Sequence, residues 1–514
     1  MSQTANRIVK NTGFLYAKMG ITVFISLYTT RLVLNALGAT DFGIFGIVGG
    51  AIAMLGFLNN SLSSATQRFL SYSQGEKDLE KQRAIFNSSI IIHLSVAIIV
   101  VVFLEFAAYP LFNGILNIPP ERLYAAHMIY QFMIVSTVIT IIAVPYDAAI
   151  TAHENMGYYA IVGVLESILK LGIALFVVYT ISDKLVVYGL LMTILSLLLL
   201  FLKLFYSRFR YTECRFQFNK YYHKHSIWEM TRFAGWSLLG SIGTVVGNNG
   251  GDVVMNHYFG PSVNAAGSVG AQLRGQMMAF SNGLLKALNP VIVKKEGEKA
   301  HSSMLRFSIT GAKMSYLLFA FLALPFIADA PYILKLWLKQ VPDWTICFSR
   351  LQMLTGLGEQ ITVTMGTVLA ASGSIKNYSI FSGIAHLTPL LLYVVLFSIG
   401  AQPFWVYLIC LINFVFIDRG YLLMQCRIRS DLDVNGYLKS VVIPILVITC
   451  ISLGGAWCIS HLMTESLVRL VLLFLFIDGI LVLLSYLFLF DQEEKVIVYK
   501  ALHKLGLFKN KQEI

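Results

Sequence analysis

The chain has 514 residues, of which 57% are hydrophobic and only 13% are charged, and its mean hydropathy is +0.70. Soluble domains carry about 25% charged residues, so this composition excludes a soluble domain and indicates a polytopic membrane protein. The net charge of +12 follows the loops between apolar segments, as shown below, and does not indicate a nucleic-acid partner. The six cysteines show no CxxC pair and no zinc-ligand spacing, so we expect no metal site.

About fourteen apolar stretches are long enough to cross a bilayer, for which a helix needs about 20 residues. They predict an all-α fold of transmembrane helices, separated by turn sequences such as Pro119-Pro120 and Gly260-Pro261. In chain order the predicted spans cover residues 12–35, 43–66, 87–109, 124–146, 157–180, 185–206, 232–256, 262–291, 305–328, 346–371, 378–399, 403–423, 440–461 and 467–490.

Lysine and arginine residues concentrate in alternate loops. The N-terminal tail, the even-numbered loops and the C-terminal tail hold 27 of the 39 Lys and Arg residues, whereas the odd-numbered loops hold 5. Cytoplasmic loops of membrane proteins carry the excess of basic residues. We therefore expect a multi-pass protein with an even number of spans and with both termini in the cytoplasm.

A short internal repeat divides the chain. The segment 38–77 has a counterpart 222 residues later, 260–299, and each segment begins with a glycine and ends in Gly-Glu-Lys. Each surrounds the second span of a block of six, which predicts two six-helix lobes related as parallel repeats. The predicted parts are an N-lobe of spans 1–6 (1–210), a basic cytoplasmic connector (211–231), a C-lobe of spans 7–12 (232–425), two added C-terminal helices, spans 13 and 14 (436–490), and a cytoplasmic tail (491–514).

The predicted spans also contain basic residues, although a cation at mid-bilayer costs at least about 2.5–3.5 kcal/mol on insertion scales. We expect a chain that retains several such residues to use some of them. A basic cavity within a membrane suits an anionic substrate. Apart from those counted with the loops at span ends, the basic residues inside the spans are Lys18, Arg31, Lys170, Arg274, Lys286, Lys313 and Arg350.

The first two spans carry the sequence Arg31-Leu-Val-Leu-Asn-Ala-Leu-Gly38, followed by Asp41-Phe-Gly43-Ile-Phe-Gly46. An arginine late in span 1, a Leu-Gly turn and an aspartate–aromatic–glycine entry to span 2 resemble the polysaccharide flippases of the multidrug/oligosaccharidyl-lipid/polysaccharide (MOP) exporter superfamily. These include the O-antigen flippases and, more distantly, the peptidoglycan lipid II flippase. The resemblance implies a V-shaped, MATE-like transporter with two lobes that works by alternating access. It also implies an undecaprenyl-diphosphate-linked glycan as substrate in a bacterial inner membrane.

Two arginines are the first candidates for substrate binding. Arg31 lies in the outer third of span 1, where it either meets the diphosphate or sugar or extends to the outer interface. Arg274 in span 8 is flanked by Gly270, Gln272 and Gly275, and such neighbours favour a protein-facing surface. Its planar guanidinium suits phosphate. The resemblance adds that related flippases have an arginine in span 1 and that the lipid II flippases have one in span 8.

Three lysines extend the candidate cationic cavity. Lys286 follows Arg274 by about 18 Å along one helix, and is either a second cation deeper in the cavity or an interfacial residue. Lys18, early in span 1, is a further candidate, with extension to the cytoplasmic interface as the alternative. Lys170 follows Glu166 by one helical turn in span 5. These two either neutralise each other or form a titratable pair that lines the lumen and takes part in gating.

Asp252 is the candidate for coupling lobe movement to an ion. It ends the sequence Gly247-Asn-Asn-Gly-Gly-Asp252 in span 7, so Asn248 and Asn249 join it as coupling or gating residues. A carboxylate in a closing cleft loses water, which favours protonation or cation binding. The candidate coupling ions are H⁺ and Na⁺. The alternatives are an ion pair with an arginine such as Arg31 and a simple residue at the outer mouth.

Together these features predict a flippase that moves an isoprenoid (undecaprenyl) diphosphate-linked oligosaccharide from the cytoplasmic to the periplasmic leaflet. No P-loop and no nucleophile–base arrangement can be read, so we expect no enzymatic activity, no cofactor, and an ion gradient or membrane potential as the energy source. A cation-coupled multidrug exporter of the same superfamily is the first alternative, but it favours an acidic or aromatic cavity. A membrane glycosyltransferase or polymerase is the second, and the longest outer loop, 329–345, is short for one.

The expected partners are the lipid-linked glycan, membrane lipids and a polymerase or glycosyltransferases of the same glycan assembly. The loop from Tyr206 to His225 interleaves aromatic and basic residues, as nucleic-acid-binding segments do. Its position between two spans on the basic side favours contact with lipid headgroups instead. We therefore expect no nucleic-acid partner.

Overall fold

The protein is helical throughout the part of the chain that can be described. Within this part the structure contains no strand, which confirms the predicted all-α fold. The end of the predicted cytoplasmic tail, 497–514, lies outside the described residues. The computed structural model describes residues 2–53, 56–115, 118–215, 217–221, 223–338 and 340–496.

The helices follow one another with short connections. In chain order the α-helices are α1 (Ser2–Ala53), α2 (Gly56–Glu76), α3 (Leu79–Pro110), α4 (Leu123–Ala152), α5 (Met156–Tyr179), α6 (Lys184–Arg210), α7 (Phe218–Tyr221), α8 (Lys224–Gly297), α9 (His301–Leu338), α10 (Thr345–Ile361), α11 (Val363–Ala371), α12 (Lys376–Ser398), α13 (Trp405–Ile412), α14 (Arg419–Ser430), α15 (Val434–Tyr437), α16 (Ile443–Leu462) and α17 (Leu467–Leu484). Turns of π-helix cover Leu111–Ile115, Asn413–Asp418, Leu438–Val442 and Ser485–Leu489, and a short 3₁₀ turn covers Pro120–Arg122.

Ten helical segments in the described ranges are long and apolar enough to cross a membrane, so the chain is a multi-pass membrane protein. They are Asn6–Gly38, Leu79–Asn113, Pro120–Ala152, Met156–Tyr179, Lys184–Arg210, His301–Leu338, Lys376–Ser398, Trp405–Ser430, Val434–Leu462 and Leu467–Leu489. The other four predicted spans fall on the end of α1 with α2, on the two halves of α8, and on α10 with α11. Fourteen spans therefore stay a prediction.

Two of the helical elements, α1 and α8, are each interrupted by a glycine with non-helical backbone geometry. Gly38 has φ 79° and ψ 167°, and Gly260 has φ 81° and ψ 177°. This region is almost restricted to glycine, because a Cβ atom would clash with the backbone there. The glycines that begin the two predicted repeats thus share one backbone conformation.

The chain forms two compact units. The N-terminal unit consists of Lys10–Leu238 together with Val293–Lys299. The C-terminal unit consists of the described parts of Met1–Val9, Leu239–Ile292 and Ala300–Ile514. The final residues of α8 therefore belong to the N-terminal unit, whereas most of that helix belongs to the C-terminal unit.

Each unit has one central helix. In the N-terminal unit α4 packs against α2, α3 and α6, and the fully buried Tyr130 donates a hydrogen bond of 2.5 Å to the Leu104 carbonyl oxygen. In the C-terminal unit α9 packs against α10, α16 and α17, with Phe319 and Phe326 buried along it. Each large aromatic side chain buries about 150–250 Å² of surface. These two helices therefore carry much of the apolar packing.

The glycines of the Gly-Glu-Lys sequences that end the two repeats contact each other within the N-terminal unit. A Cβ atom on Gly75 would lie 2.2 Å from the Lys294 carbonyl oxygen, and one on Gly297 would lie 2.1 Å from the Tyr72 carbonyl oxygen. Any larger residue at either position would push the two backbones apart. The last turn of α8 is thereby packed against the last turn of α2.

Part of the predicted basic connector folds back onto the N-terminal unit. The Asn87 amide nitrogen donates to the Arg215 carbonyl oxygen at 3.2 Å, and the Gln217 backbone nitrogen donates to the Asn87 side-chain oxygen at 2.9 Å. The imidazole Nε2 of His153 lies 2.5 Å from Oε1 of the buried Glu213. These contacts fix the start of the connector to α3 and α4.

One arginine joins three helices of the N-terminal unit, α1, α4 and α6. Nε and Nη2 of Arg122 donate to the two carboxylate oxygens of Asp41 at 2.7 and 2.6 Å. Nη1 and Nη2 of the same guanidinium donate to Asp183 at 2.6 and 3.1 Å. The Arg122 guanidinium holds the pKa of Asp183 below its usual range. The aspartate of the Asp41-Phe-Gly43 sequence therefore has a structural role, since it ties α1, just after its break at Gly38, to the starts of α4 and α6.

The acidic segment that follows α17 binds to α9. Nζ of Lys313 lies 2.8 Å from Oε2 of Glu494, and the Thr310 hydroxyl donates to Oε1 of the same carboxylate at 2.6 Å. The side chains of Lys313 and Glu494 are only 5% and 4% exposed. Nearby, Nη2 of Arg306 lies 2.6 Å from Oε2 of Glu493 at the surface. Lys313, one of the basic residues inside the predicted spans, thus has a buried structural partner.

Candidate functional site

Arg274 lies on the face of α8 that packs against α10. Gly267, Gly270 and Arg274 are spaced by three and four residues, so they share one face of the helix. The Gln352 amide nitrogen of α10 donates to the Gly267 carbonyl oxygen at 3.0 Å, and a Cβ atom on Gly270 would lie 2.6 Å from that nitrogen. The small residues around Arg274 therefore let α10 approach closely, which brings the guanidinium beside α10.

The ion-pair partner of Arg274 is Glu359 of α10. Its Nη2 pairs with Oε2 of Glu359, and the two side chains are 25% and 13% exposed. Nε of Arg274 is buried without a hydrogen-bond partner among the described residues, so this guanidinium retains a donor for a further acceptor. Sequence reasoning missed Glu359. The sequence does mark this residue, because it is a carboxylate inside the predicted span 346–371. Inserting a charged carboxylate into the membrane costs free energy, as inserting an arginine does.

A second cluster of charged side chains, Asp418 and Arg419 with Tyr378, lies at the π-helical turn that ends at Asp418. The Tyr378 hydroxyl donates to Oδ2 of Asp418 at 3.1 Å and accepts from Nη1 of Arg419 at 3.4 Å. Asp418 is 1% exposed in its side chain, and Arg419 lies close enough to Glu359 for their charges to attract each other. Although the loop count assigned Arg419 to the cytoplasm, the helical segment that contains it continues to Ser430. Turns of π-helix often occur at functional sites.

The other predicted residues of the C-terminal unit also lie on α8. Three of them, Asp252, Asn248 and Asn249, are exposed and form no hydrogen bond or ion pair with other described residues. Asp252 lies near enough to Tyr407 for its charge to influence the phenol group. Lys286 is half-buried and interacts with its surroundings. Arg274 is therefore brought together with a carboxylate, whereas Asp252 is not paired in this part of the chain.

The predicted residues of the N-terminal unit divide between α1 and α5. Nζ of Lys18 lies over the Tyr159 ring, 4.4 Å from its centroid. Nζ of Lys170 lies 2.6 Å from Oε1 of Glu166, with side chains 40% and 38% exposed. Residues 159, 166 and 170 share one face of α5, so Lys18 packs against the same face of α5 that carries the Glu166–Lys170 pair. Arg31 is exposed on α1 and forms no such contact with the described residues.

Two cavities contribute polar groups that sequence reasoning did not single out. One of about 310 Å³ in the N-terminal unit is lined in part by the hydroxyl groups of Ser136, Thr137 and Thr140. Another of about 560 Å³ in the C-terminal unit is lined in part by Trp344 and Arg350. Hydroxyl residues on helices commonly bond to their own backbone, so their sequence alone carries no signal of a cavity. Three metal-ligating side chains do not come together anywhere in the described ranges, and H⁺ or Na⁺ coupling stays a prediction.

The fold is that of a MOP-type transporter. The structure is similar to the outward-facing conformation of a multidrug resistance MATE family transporter of the MOP superfamily, with a TM-score of 0.72 and 14% identity over 84% of this chain and 97% of that chain. It is also similar to a MOP superfamily transporter from Pyrococcus furiosus, with a TM-score of 0.71 and 13% identity over 83% and 96% of the two chains. The binding pocket of that protein is described as having a reverse polarity that suggests a different function.

The sequence identifies the family within this class. The profile of the family described as "Polysaccharide biosynthesis protein" matches residues 8–296, which is more than half of the 514-residue chain, and the protein belongs to that family. No curated protein sequence matches the chain. The chain thus combines membership of a polysaccharide biosynthesis family with a fold that MATE transporters share.

Proposed function

We propose that the protein flips an isoprenoid (undecaprenyl) diphosphate-linked oligosaccharide from the cytoplasmic to the periplasmic leaflet of a bacterial inner membrane by alternating access. The observation that carries this proposal is membership of a polysaccharide biosynthesis family in a chain with a transporter fold. A glycan that is assembled on a lipid at one face of a membrane and used at the other needs such a transporter. Both termini would be cytoplasmic, and a polymerase or glycosyltransferases would be its partners.

The substrate presents a physical problem that the basic residues address. A polar glycan and its diphosphate lose their water in hydrocarbon, whereas the isoprenoid tail can remain in the bilayer. A guanidinium offers a planar fork that binds two phosphate oxygens at once, and the unsatisfied Nε of Arg274 supports such a role. The other cations that we propose for substrate binding are Lys286 in the C-terminal unit and Arg31, Lys18 and Lys170 in the N-terminal unit.

The energy would come from the membrane potential or an ion gradient. Moving one elementary charge through 100 mV is worth about 2.3 kcal/mol, so an anionic diphosphate that leaves a negative interior moves downhill. Asp252, with Asn248 and Asn249, and the Glu166–Lys170 pair would link this movement to H⁺ or Na⁺. The exposed and unpaired carboxylate of Asp252 supports its assignment to coupling.

Reconstituted vesicles test the proposal directly. Lipid-linked oligosaccharide extracted from the native host is incorporated on both sides, and an added glycosidase reports which fraction reaches the outer leaflet. We expect the wild-type protein to expose all of the glycan and Arg274→Ala to expose only the outer half. Arg274→Lys should recover part of the activity, because an ammonium lacks the bidentate fork. Arg427→Ala, which removes an exposed arginine on α14, is the matched control and should behave as wild type.

The multidrug-exporter alternative makes a different prediction in the same vesicles. It draws on the similarity to a multidrug resistance transporter and on the carboxylate of Asp252, which would suit a cationic drug. The wild-type protein could leave the glycan lipid unmoved and instead transport a cationic dye in exchange for protons that move down an imposed gradient. In that case the flippase proposal is wrong. Normal flipping by Arg274→Ala at normal protein level would instead remove Arg274 from substrate binding.

A further inference from the structure

The guanidinium that we assign to the diphosphate already has an anionic partner. Arg274 forms an ion pair with Glu359, and both side chains are largely buried between α8 and α10. A phosphate oxygen and a carboxylate oxygen seek the same N–H donors in the same geometry. A diphosphate can therefore form a bidentate contact with the Arg274 guanidinium only if the Glu359 carboxylate moves away from Nη2.

The surroundings of Glu359 give its carboxylate a second cation. Arg274 faces it from α8, and Arg419 of α14 lies near enough for its charge to attract that of Glu359, although it also pairs with Asp418 at 3.7 Å. From α9 the side chain at this level is the apolar Phe319, which contacts Gly356 one turn before Glu359. A carboxylate displaced from Arg274 therefore keeps a positive neighbour and is not left as an isolated buried charge.

We propose that Glu359 acts as an internal competitor of the substrate at Arg274. In the empty transporter Glu359 neutralises Arg274. When the diphosphate binds, it replaces Glu359, whose carboxylate is then stabilised by Arg419. Return of Glu359 to Arg274 drives the diphosphate off, so the residue sets the affinity for the head group and promotes release of the product. This inference rests on the proposed function and adds a specificity residue to it.

Competition has a measurable signature. A ligand whose binding-competent state is only partly populated binds with an affinity reduced by that fraction. Glu359→Gln keeps the shape of the side chain but removes the competing charge, so a diphosphate should bind more tightly, by about tenfold for ~1.4 kcal/mol of ion pairing. A residue that merely orients Arg274 predicts the opposite sign, because its loss would misplace the guanidinium and weaken binding.

Calorimetric titration of the detergent-purified full-length protein with geranyl diphosphate separates these cases. We expect tighter binding by Glu359→Gln, an intermediate gain for Glu359→Asp, loss of binding by Arg274→Ala, and wild-type affinity for the control Glu465→Gln, an exposed carboxylate of the same unit. Thermal unfolding of each variant establishes that it is folded. If Glu359→Gln does not fold, the sign of the change in Glu359→Asp decides.

Two results would overturn the inference, and they differ in what they leave standing. Unchanged or weaker binding by Glu359→Gln, with binding still lost in Arg274→Ala, rejects the competition but retains the diphosphate site. Absence of geranyl diphosphate binding in both the wild-type protein and Glu359→Gln rejects the diphosphate site itself. In that second case the inference fails with its site, whereas the flippase proposal is decided separately by movement of the glycan lipid in the vesicle assay.

Discussion

Removing the charge of Glu494 should destabilise the protein strongly, although the residue lies just beyond the last long helix. Glu494→Gln keeps the size of the side chain but leaves the Lys313 ammonium, which is 5% exposed, without a counter-charge. Breaking a buried ion pair by changing one partner costs about 3–5 kcal/mol. Because the entropy of unfolding scales with length, a chain of 514 residues shifts its melting temperature by roughly 1 °C per kcal/mol, so a fall of about 3–5 °C is expected. Circular dichroism of the purified protein in detergent measures this directly.

The neighbouring glutamate supplies the matched control. Glu493 pairs with Arg306 at 2.6 Å but is 62% exposed, and exposed ion pairs contribute about 0–1 kcal/mol, so Glu493→Gln should melt close to the wild-type protein. Changing Lys313 to Met in the Glu494→Gln background should recover most of the loss, because no buried charge then remains. Equal melting temperatures for Glu493→Gln and Glu494→Gln would refute the assignment of a buried pair.

Three further predictions concern coupling, acid sensitivity and topology. Asp252→Asn should lower glycan export and abolish the ion dependence of the remaining flipping in vesicles; unchanged ion dependence would exclude Asp252 from coupling. Because Arg122 holds the pKa of Asp183 low, this carboxylate stabilises the fold above the ordinary carboxyl range near pH ~4 and loses its effect as the pH falls through the lowered pKa. Asp183→Asn should therefore melt below wild type at neutral pH and together with it in strong acid; equal melting at neutral pH would contradict this. In a cysteine-free background, cysteine in place of Lys220 should resist an impermeant thiol reagent added outside cells, whereas cysteine in place of Asp343 should react; the reverse pattern would contradict the topology.

The parts of the fold that were predictable from sequence depend on local physics. Long apolar runs require helices in a membrane, because unpaired backbone groups are too costly in hydrocarbon. Gly38 and Gly260 were expected to break helices and do so with almost the same dihedral angles. The small residues Gly270 and Gly275 marked a protein-facing surface, and Arg274 between them does face α10.

The partners of the charged residues were not predictable in the same way. Glu359 lies 85 positions from Arg274, and Glu494 lies 181 positions from Lys313. Which charges meet at such separations depends on how helices pack, and a single sequence contains no local pattern for it. Sequence alone therefore placed Lys313 and Arg274 together among the basic residues of the spans and gave a partner for neither. The structure distinguishes them, because Lys313 is enclosed with its carboxylate whereas Arg274 keeps an unsatisfied donor.

The triad of Arg122, Asp41 and Asp183 has a consequence for how related sequences can diverge. Both carboxylates lie within 2.7 Å of the same guanidinium, so replacing the arginine alone would leave two adjacent negative charges that repel each other. Neutralising one aspartate alone would leave the arginine with a single partner. Homologues should therefore change these three positions as a set, and the aspartate that opens the Asp-Phe-Gly sequence should persist wherever the arginine persists. Its recurrence in an alignment would then reflect the packing of three helices rather than the identity of the transported sugar.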